Sequence, residues 1–410
     1  MNKFNFDKPY YTQRPISSIK ALANALGADQ QALIQLANNK TNYHYYTKHV
    51  KSGSKTKQRS IFDAKHSLKK IQKRIISRIF CHIEFPQYLH GGIKDLNQPR
   101  DYFSNATVHC NSKNIISLDI KNFYDSVRDD KVLIIFLNFF KFPKDVAQIL
   151  TQLVTVQWSD YDKDISQSAR HLPQGAPTSS YLANLIFFDN EYKLFNHFKR
   201  QKISYTRLLD DITISSLSEF TKAQKTKIIT RVAGMVRESD LKLNNKKTIC
   251  TSFREPGKKM IVTGLWVNHS IPKLQKHSLK KILEGVKSCE YIHSRCPFSF
   301  EYHKEWNTYS GKVANMARSY PNLAKRLRVR LSTILPIFSP KQTLVLERQI
   351  DTLLNSKTTQ TNKLTNIKRF NKAYYAIGII SRTDKRLARK LRSRLLTRMP
   401  NITYKDYWEN

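Results

Sequence analysis

Tyr205-Thr-Arg-Leu-Leu-Asp-Asp-Ile-Thr-Ile-Ser215 carries two adjacent carboxylates, Asp210 and Asp211, between apolar and β-branched flanks. Ile203 to Leu209 favours a strand. Ile212 and Ile214 alternate with Thr213 and Ser215 at period two, which favours a second. A strand, a tight turn bearing two acids and a returning strand put both carboxylates at an exposed hairpin tip. Aspartate is a good turn residue, so this stretch by itself also suits a plain surface β-turn.

A third acid in matching context counts against the plain turn. Asp119 follows Ile115-Ile-Ser-Leu118, a short apolar run that reads as a buried strand, and precedes Ile120-Lys-Asn-Phe-Tyr-Asp125. Carboxylates at the ends of two adjacent strands can hold hard divalent cations, and Mg²⁺ takes oxygen ligands that it shares with substrate phosphates. Two such ions about 3.5–4 Å apart would clamp the attacking and leaving oxygens of an in-line phosphoryl transfer. Between the acids lies His171-Leu-Pro-Gln-Gly-Ala-Pro-Thr-Ser-Ser180. Its prolines and glycine make a structured loop, and Thr178 or Ser179 is placed to cap the helix that follows.

Together these stretches resemble reverse transcriptases, most closely the bacterial retron type. The blocks that carry the resemblance are Leu118-Asp-Ile-Lys-Asn-Phe-Tyr-Asp-Ser-Val127, Leu172-Pro-Gln-Gly-Ala-Pro-Thr-Ser179, the Asp210-Asp211 hairpin and Val262-Thr-Gly-Leu-Trp-Val-Asn268, in the family's order. The resemblance runs from about residue 18 to about residue 335. One departure stands out: Leu208 and Leu209 occupy positions where the family has a tyrosine and a small or variable residue before the paired acids. Metal binding is untouched by that change, but the tyrosine contact near the primer end is put in doubt.

The resemblance implies an α+β right-hand polymerase fold with a helical C-terminal extension. Residues 1–118 would form N-terminal helices and fingers, 119–270 the palm with its primer-grip hairpin, 271–338 the thumb and 339–410 the extension. It implies that Asp119, Asp210 and Asp211, with the carbonyl of Ile120, hold two Mg²⁺ ions, for which Mn²⁺ is a substitute. Tyr124 would lie under the sugar of the incoming nucleotide and exclude a ribose 2′-hydroxyl, with Phe123 as the core aromatic beside it. Gln174 and Gly175 would lie along nucleotide and template. Arg59, and with it Lys57, would hold the triphosphate from the fingertip strands, since the guanidinium fork spans two phosphate oxygens. Lys247, in Leu241-Lys-Leu-Asn-Asn-Lys-Lys-Thr248, would act as general acid or charge stabiliser near the leaving pyrophosphate, and a solvated lysine is the alternative. Gly264, Leu265 and Trp266 would form the primer grip.

Lys plus Arg number 71 against 31 Asp plus Glu, a net charge of +40 spread along the whole chain. Such a field attracts polyanions with a steep salt dependence. No apolar run reaches the ~18 residues of a membrane span, and the opening Met-Asn-Lys-Phe-Asn-Phe-Asp lacks the apolar core of a signal peptide. The cysteines at 81, 110, 250, 289 and 296 are odd in number and form no Cys-x-x-Cys pair. That argues against a disulfide framework and suits a reducing cytoplasm. Cys289, His293 and Cys296 lack the second ligand pair of a zinc site.

Helical spacing is read over 17–38 (two short helices), 66–85, Val132 to Phe140, Val146 to Val156, 181–200, 222–239, 278–296 and 301–335. The 66–85 helix is read with Lys69, Lys70, Lys73, Arg74 and Arg78 on a face that is solvated or touches nucleic acid. Residues 157–170 read as a polar loop, and His109 as structural. In the tail, Arg382 to Arg398 mixes cations with Leu387, Leu391, Leu395 and Leu396 on one side, a surface for a structured RNA or for a partner.

The expected activity is therefore RNA-directed DNA synthesis from dNTPs on a cognate non-coding RNA template, serving bacterial anti-phage defence. A neighbouring reading is a defence-associated enzyme that makes repetitive or untemplated DNA with an effector protein or second polymerase subunit. Two further readings are a non-catalytic RNA-binding scaffold, against which three intact acids argue, and an intron-encoded maturase. Against the maturase stand the chain length and the lack of a Cys-rich endonuclease block.

Overall fold

The computed structural model describes residues 7–52, 55–95, 97–158, 169–255, 257–355 and 364–409, and leaves the side chains of residues 51, 52, 55 and 57 undescribed. Most of the polar loop read over 157–170 lies outside the described residues. Apart from the last two residues, the chain divides into two compact units, 1–272 and 273–408.

In chain order the first unit contains α1 (Ile19–Leu26), α2 (Gln30–Asn38), the hairpin of β1 (Tyr43–Ser52) and β2 (Lys55–Ala64), α3 (His66–Arg78), β3 (Leu89–His90), β4 (Asn114–Asp119), α4 (Lys144–Val154), α5 (Ser179–Leu185), α6 (Glu191–Arg200), β5 (Ser204–Leu208), β6 (Asp211–Ser216), α7 (Lys222–Glu238), β7 (Ile249–Ser252) and the short hairpin of β8 (Ile261–Val262) and β9 (Leu265–Trp266). Five strands form one sheet in the order β7-β4-β6-β5-β3. Its neighbours are antiparallel except for the parallel pair β3–β5. Ile115, Ile116, Leu118, Ile212 and Ile214 are at most 2% exposed. Burial on both faces is why β4 reads as a continuous apolar run rather than an alternating one.

Burying both faces also buries the polar residues of β5 and β6, and these need partners. His109 supplies them for Thr206 and Ser215. Its Nδ1 lies 2.8 Å from Ser215 Oγ and its Nε2 2.7 Å from Thr206 Oγ1, so one ring joins β6 to β5. Burial, with His90 nearby, pushes this imidazole down to about 3, so it is neutral.

Three readings change here. The helix read over 66–85 ends at Arg78 and gives way to a 3₁₀ turn over Phe80–His82. Arg74 and Arg78 do not serve a solvated face: Arg74 Nη1 donates to the carbonyls of Leu26 and Gly27, and Arg78 Nη1 to that of Ala25. They cap the C-terminus of α1, where carbonyls lack intrahelical partners. The helix read over 181–200 is two, α5 and α6, broken over residues 186–190. The break turns Glu191, the first residue of α6, into the core, where it is 2% exposed.

The second unit is helical: α8 (Lys276–Arg295), α9 (Phe300–Met316), α10 (Pro321–Thr333), α11 (Pro340–Asn355), α12 (Leu364–Ile380) and α13 (Lys385–Leu396). One apolar cluster joins α8 to α10 through Val286, Tyr302, Val313 and Leu327. A second joins α11 to α13 through Ile350, Phe370, Ile377, Leu391 and Leu395. Gly285 permits the first: a Cβ there would sit 1.9 Å from the Tyr309 ring. The tail stripe read as Leu387, Leu391, Leu395 and Leu396 is filled by the chain's own α11 and α12, and Leu396 is not part of it, being 53% exposed. Among the described residues no helix is long and apolar enough to cross a membrane.

Candidate active site

Asp119 ends β4 and Asp211 begins β6, and the two are direct partners across the antiparallel ladder. Asp210 precedes Asp211 in the β5–β6 turn. Register alone therefore brings the three acids together, and each offers a carboxylate oxygen within 4.8 Å of the others. Backbone bonds lock the arrangement: Ile120 N donates to the Asp210 carbonyl at 3.1 Å, and Asn244 N to the Asp119 carbonyl at 2.7 Å. An all-oxygen donor set of this kind suits hard divalent cations such as Mg²⁺ or Mn²⁺.

The electrostatics agree with that chemistry. Asp211 is exposed at the cluster's edge, yet desolvation of its carboxyl against the fold, with the neighbouring Asp210 and Asp119, pushes it up to about 6. Asp210 is raised by burial and by Asp119, against the opposing charges of Lys247 and Arg59. Carboxylates that resist sharing one place favour a cation among them. Lys247 comes from a 3₁₀ turn over Asn245–Lys247 and lies on Asp119 Oδ1, while Asn244 Nδ2 donates to Asp119 Oδ2 at 3.2 Å. The structure thus sets Lys247 against a carboxylate of the cluster itself.

Tyr124 is partly buried, and burial together with Asp210 raises its hydroxyl to about 12. Phe123 beside it is 3% exposed and belongs to the core. Arg59 is exposed on β2, paired across the hairpin with Lys48. The Lys57 side chain lies outside the described residues. Phe62 N donates to the Gln174 carbonyl at 2.8 Å, which ties the β1–β2 hairpin to the Pro-Gln-Gly loop. Gly175 sits in that contact at φ +115, where an added Cβ would meet Ile61 Cγ2 at 3.0 Å and Phe62 O at 3.3 Å. Neither Thr178 nor Ser179 caps α5. Ser179 Oγ instead donates to the Pro173 carbonyl at 2.6 Å, closing the loop on itself. Gly264, Leu265 and Trp266 stand on the separate β8–β9 hairpin. Gly264 lies at φ +83 in its turn, and Thr263 Oγ1 anchors the hairpin to the Tyr102 carbonyl at 2.7 Å.

One residue of the opening stretch does more than extend its strand. Arg207 on β5 is 0% exposed. Its Nε and Nη2 donate to the Glu191 carboxylate at 2.6 and 2.7 Å, and Tyr205 Oη donates to the same carboxylate at 2.7 Å. Nη1 reaches the carbonyls of Ala183 and Leu209, and Nη2 that of Asn184, all at 3.0–3.1 Å. All five guanidinium N–H groups are used. Burial opposes the charge, and Glu191 more than offsets it, so Arg207 stays cationic. Breaking such a pair from one side costs about 3–5 kcal/mol. Leu209, bonded through its carbonyl, lies at φ +59, a left-handed conformation that costs a leucine roughly 1–2 kcal/mol. The signal in the sequence was a lone arginine inside an otherwise apolar and hydroxylic strand. Its partner, 16 residues away on a helix, was not visible there.

Comparison with known proteins places these features in a family. The family model for reverse transcriptase (RNA-dependent DNA polymerase) matches residues 32–292. The chain is 38% identical over 395 residues to the Retron Se72 reverse transcriptase of Salmonella heidelberg (strain 579083-10), covering 96% of this chain and 100% of that one. It is 29% identical to the Retron Ec48 reverse transcriptase of Escherichia coli, over 94% of this chain and 92% of that one. With the Retron Ec86 reverse transcriptase of Escherichia coli it shares 25% identity over 66% of this chain and 81% of that one.

Proposed function

The chain belongs to the reverse transcriptase family, and from that premise we propose that Asp119, Asp210 and Asp211 hold two Mg²⁺ ions for DNA synthesis on a cognate non-coding RNA. It is an RNA-directed DNA polymerase of the retron type, with the α+β right-hand fold of that family. The observation that carries the proposal is the three-carboxylate cluster, one oxygen from each acid within 4.8 Å of the others, at the ends of two paired strands and in the turn between β5 and β6.

When bound, the two cations supply the positive charge that activates a primer hydroxyl and neutralises the triphosphate. The chain's own groups do the positioning. Asp119 and Asp210 hold the cluster's inner side, with the Ile120 carbonyl as an added ligand, and Asp211 closes its exposed side. Tyr124 sets a wall against a ribose 2′-hydroxyl, so deoxynucleotides are selected. Arg59 and Lys57 take the triphosphate from the β1–β2 hairpin, beside Gln174 and Gly175. Lys247, already at Asp119, stabilises charge on the phosphates and can donate a proton to the leaving pyrophosphate. Gly264, Leu265 and Trp266 hold the primer strand. On this reading residues 1–118 are N-terminal helices and fingers, 119–270 the palm, 271–338 the thumb and 339–410 an extension that binds RNA or an effector protein in anti-phage defence.

The test is to sequence nucleic acid that co-purifies with the protein. The wild type should carry one discrete RNA and DNA complementary to part of it, and Asp210→Ala the RNA alone. DNA on both proteins would overturn the catalytic assignment. DNA complementary to no co-purified RNA would favour untemplated synthesis.

A further inference from the structure

We propose that Arg207 is a positioning residue for catalysis: paired with Glu191, it holds Leu209 in the left-handed conformation that presents Asp210 to the metal site. The proposal rests on the reading of Asp210 as a metal ligand and adds what keeps that ligand in place.

Leu209 is the residue immediately before Asp210, and it stands at φ +59, where a leucine does not stay of its own accord. Such a backbone persists only when its surroundings over-determine it. The Leu209 carbonyl accepts from Arg207 Nη1 at 3.0 Å, so the guanidinium fixes the plane of the peptide leading into Asp210. The guanidinium is itself immobile. The Glu191 carboxylate grips it on two nitrogens, and the final carbonyls of α5, Ala183 and Asn184, take the rest. The Phe187 ring covers it, 5.1 Å from centroid to Cζ.

The other side of the turn is braced too. Asn184 Nδ2 donates to the Gly91 carbonyl at 2.9 Å. Gly91, at φ +79, lies so close beneath the turn that a Cβ would meet Leu208 Cδ1 at 2.8 Å and Leu209 Cγ at 3.3 Å. The Leu208-Leu209 pair thus sits between a backbone floor and a buried cation. A lysine at 207 could keep its charge beside Glu191, but it has no planar fork to span four acceptor groups at once.

The test uses the full chain and two sets of variants. In the first, Arg207→Met is combined with Glu191→Met, which removes the pair without stranding one buried charge. Arg207→Lys is made separately, so that a charge-retaining protein is in hand if the double variant folds poorly. The measurements are kcat, the KM for dNTP, the Mg²⁺ half-saturation, the Kd for an annealed template-primer, and Tm. A loosened turn lowers kcat by about tenfold or more and raises the Mg²⁺ half-saturation several-fold, while template-primer Kd stays within about twofold. In the second set, Leu209→Gly is added to each variant. Glycine enters the left-handed region freely, so it should restore kcat by about fivefold or more, whereas Leu209→Ala should not. Folded variants with wild-type kcat and wild-type Mg²⁺ half-saturation would overturn the proposal. So would a fall in kcat that glycine restores no better than alanine, because the loss would then be general damage to the core. If Asp210→Ala keeps its activity, the metal-ligand reading beneath the proposal fails, and that result is separate from either of these.

Discussion

Asp210 and Arg389 stand for the two kinds of charge that this protein presents, and the molecule holds them in opposite ways. Around Asp210 almost every neighbouring group is spoken for: the Asp210 carbonyl takes Ile120 N–H, the Leu209 carbonyl takes Arg207, and the strands beneath are cross-linked by His109. Arg389, with Arg386 and Lys390, stands exposed on α13. The rest of that helix is tied down by Leu391 and Leu395 in the core, by Arg392 over the Tyr374 ring and by Arg394 to Asp351 at 2.7 Å, and past its end Arg398 donates to the Leu354 carbonyl. Chemistry on a phosphate needs fixed donors that cost no reorganisation at the moment of reaction. Attraction of a polyanion needs only charge density, which tolerates mobile side chains. Substitutions should therefore act locally and severely at the first site, and gradually and in proportion to charge at the second.

The largest effect falls at the acid cluster. Asp210→Ala or Asp119→Ala should lower primer extension by about 10³-fold or more, because each removes a ligand of the proposed metal site. Circular dichroism and Tm should stay near wild type, since neither change opens a core cavity. A stable variant with full Mg²⁺-dependent activity would remove the difference between the two sites altogether.

Next comes the proposed sugar gate. Tyr124→Val should shift the ratio of ribonucleotide to deoxyribonucleotide incorporation by on the order of 10²-fold, read by single-nucleotide extension with each substrate. An active variant with an unchanged ratio assigns the discrimination to another residue.

The exposed cations should respond by degrees. Arg386→Gln, Arg389→Gln and Lys390→Gln together should weaken binding of the co-purified RNA and lower the slope of log K against log salt by about 2. Extension on a generic annealed template-primer should stay within about twofold. Point substitution is the right probe here, because α11 to α13 share one apolar cluster and Arg382 donates to the Pro336 carbonyl. Deleting residues 341–410 would remove that cluster, together with the Tyr375 hydroxyl bonded to Asn307 and the Arg382 guanidinium over Trp306 on α9. An unchanged salt slope would leave partner docking as the role of this helix.

The smallest effect is a pH dependence of stability in the metal-free protein. Asp211 titrates near 6 in the fold and at 3.8 ordinarily, so the folded state holds its proton more tightly. Its contribution to stability is complete below pH 3.8 and is lost as pH rises through about 6. Scanning calorimetry in chelator should show wild-type Tm falling across that window relative to Asp211→Asn. Mg²⁺ above pH 6 should restore the wild type more than the variant. Parallel curves for the two proteins would mean that Asp211 is not held among like charges.

Much of this molecule is legible in its sequence for a physical reason. Metal-assisted phosphoryl transfer demands carboxylates at strand ends, and the period-two flanks of Asp210-Asp211 and the apolar run before Asp119 are local patterns that survive without coordinates. The same holds for Phe123 as a core aromatic and for the amphipathic helices of the second unit. What tertiary structure alone decided are the long-range partners. Arg74 and Arg78 looked like a basic face until α1 brought its unpaired carbonyls to them. The break between α5 and α6 turns Glu191 inward, and neither Gly nor Pro marks it, only Asp189-Asn190 at the start of α6. Lys247 lies against Asp119 across 128 positions, and Arg207 finds Glu191 and the Leu209 carbonyl only once sheet and helix have packed. Local patterns record which faces of an element are apolar. Which donor meets which acceptor across the core depends on the closed packing of the whole unit, where a buried group must be satisfied by whatever the fold brings within reach.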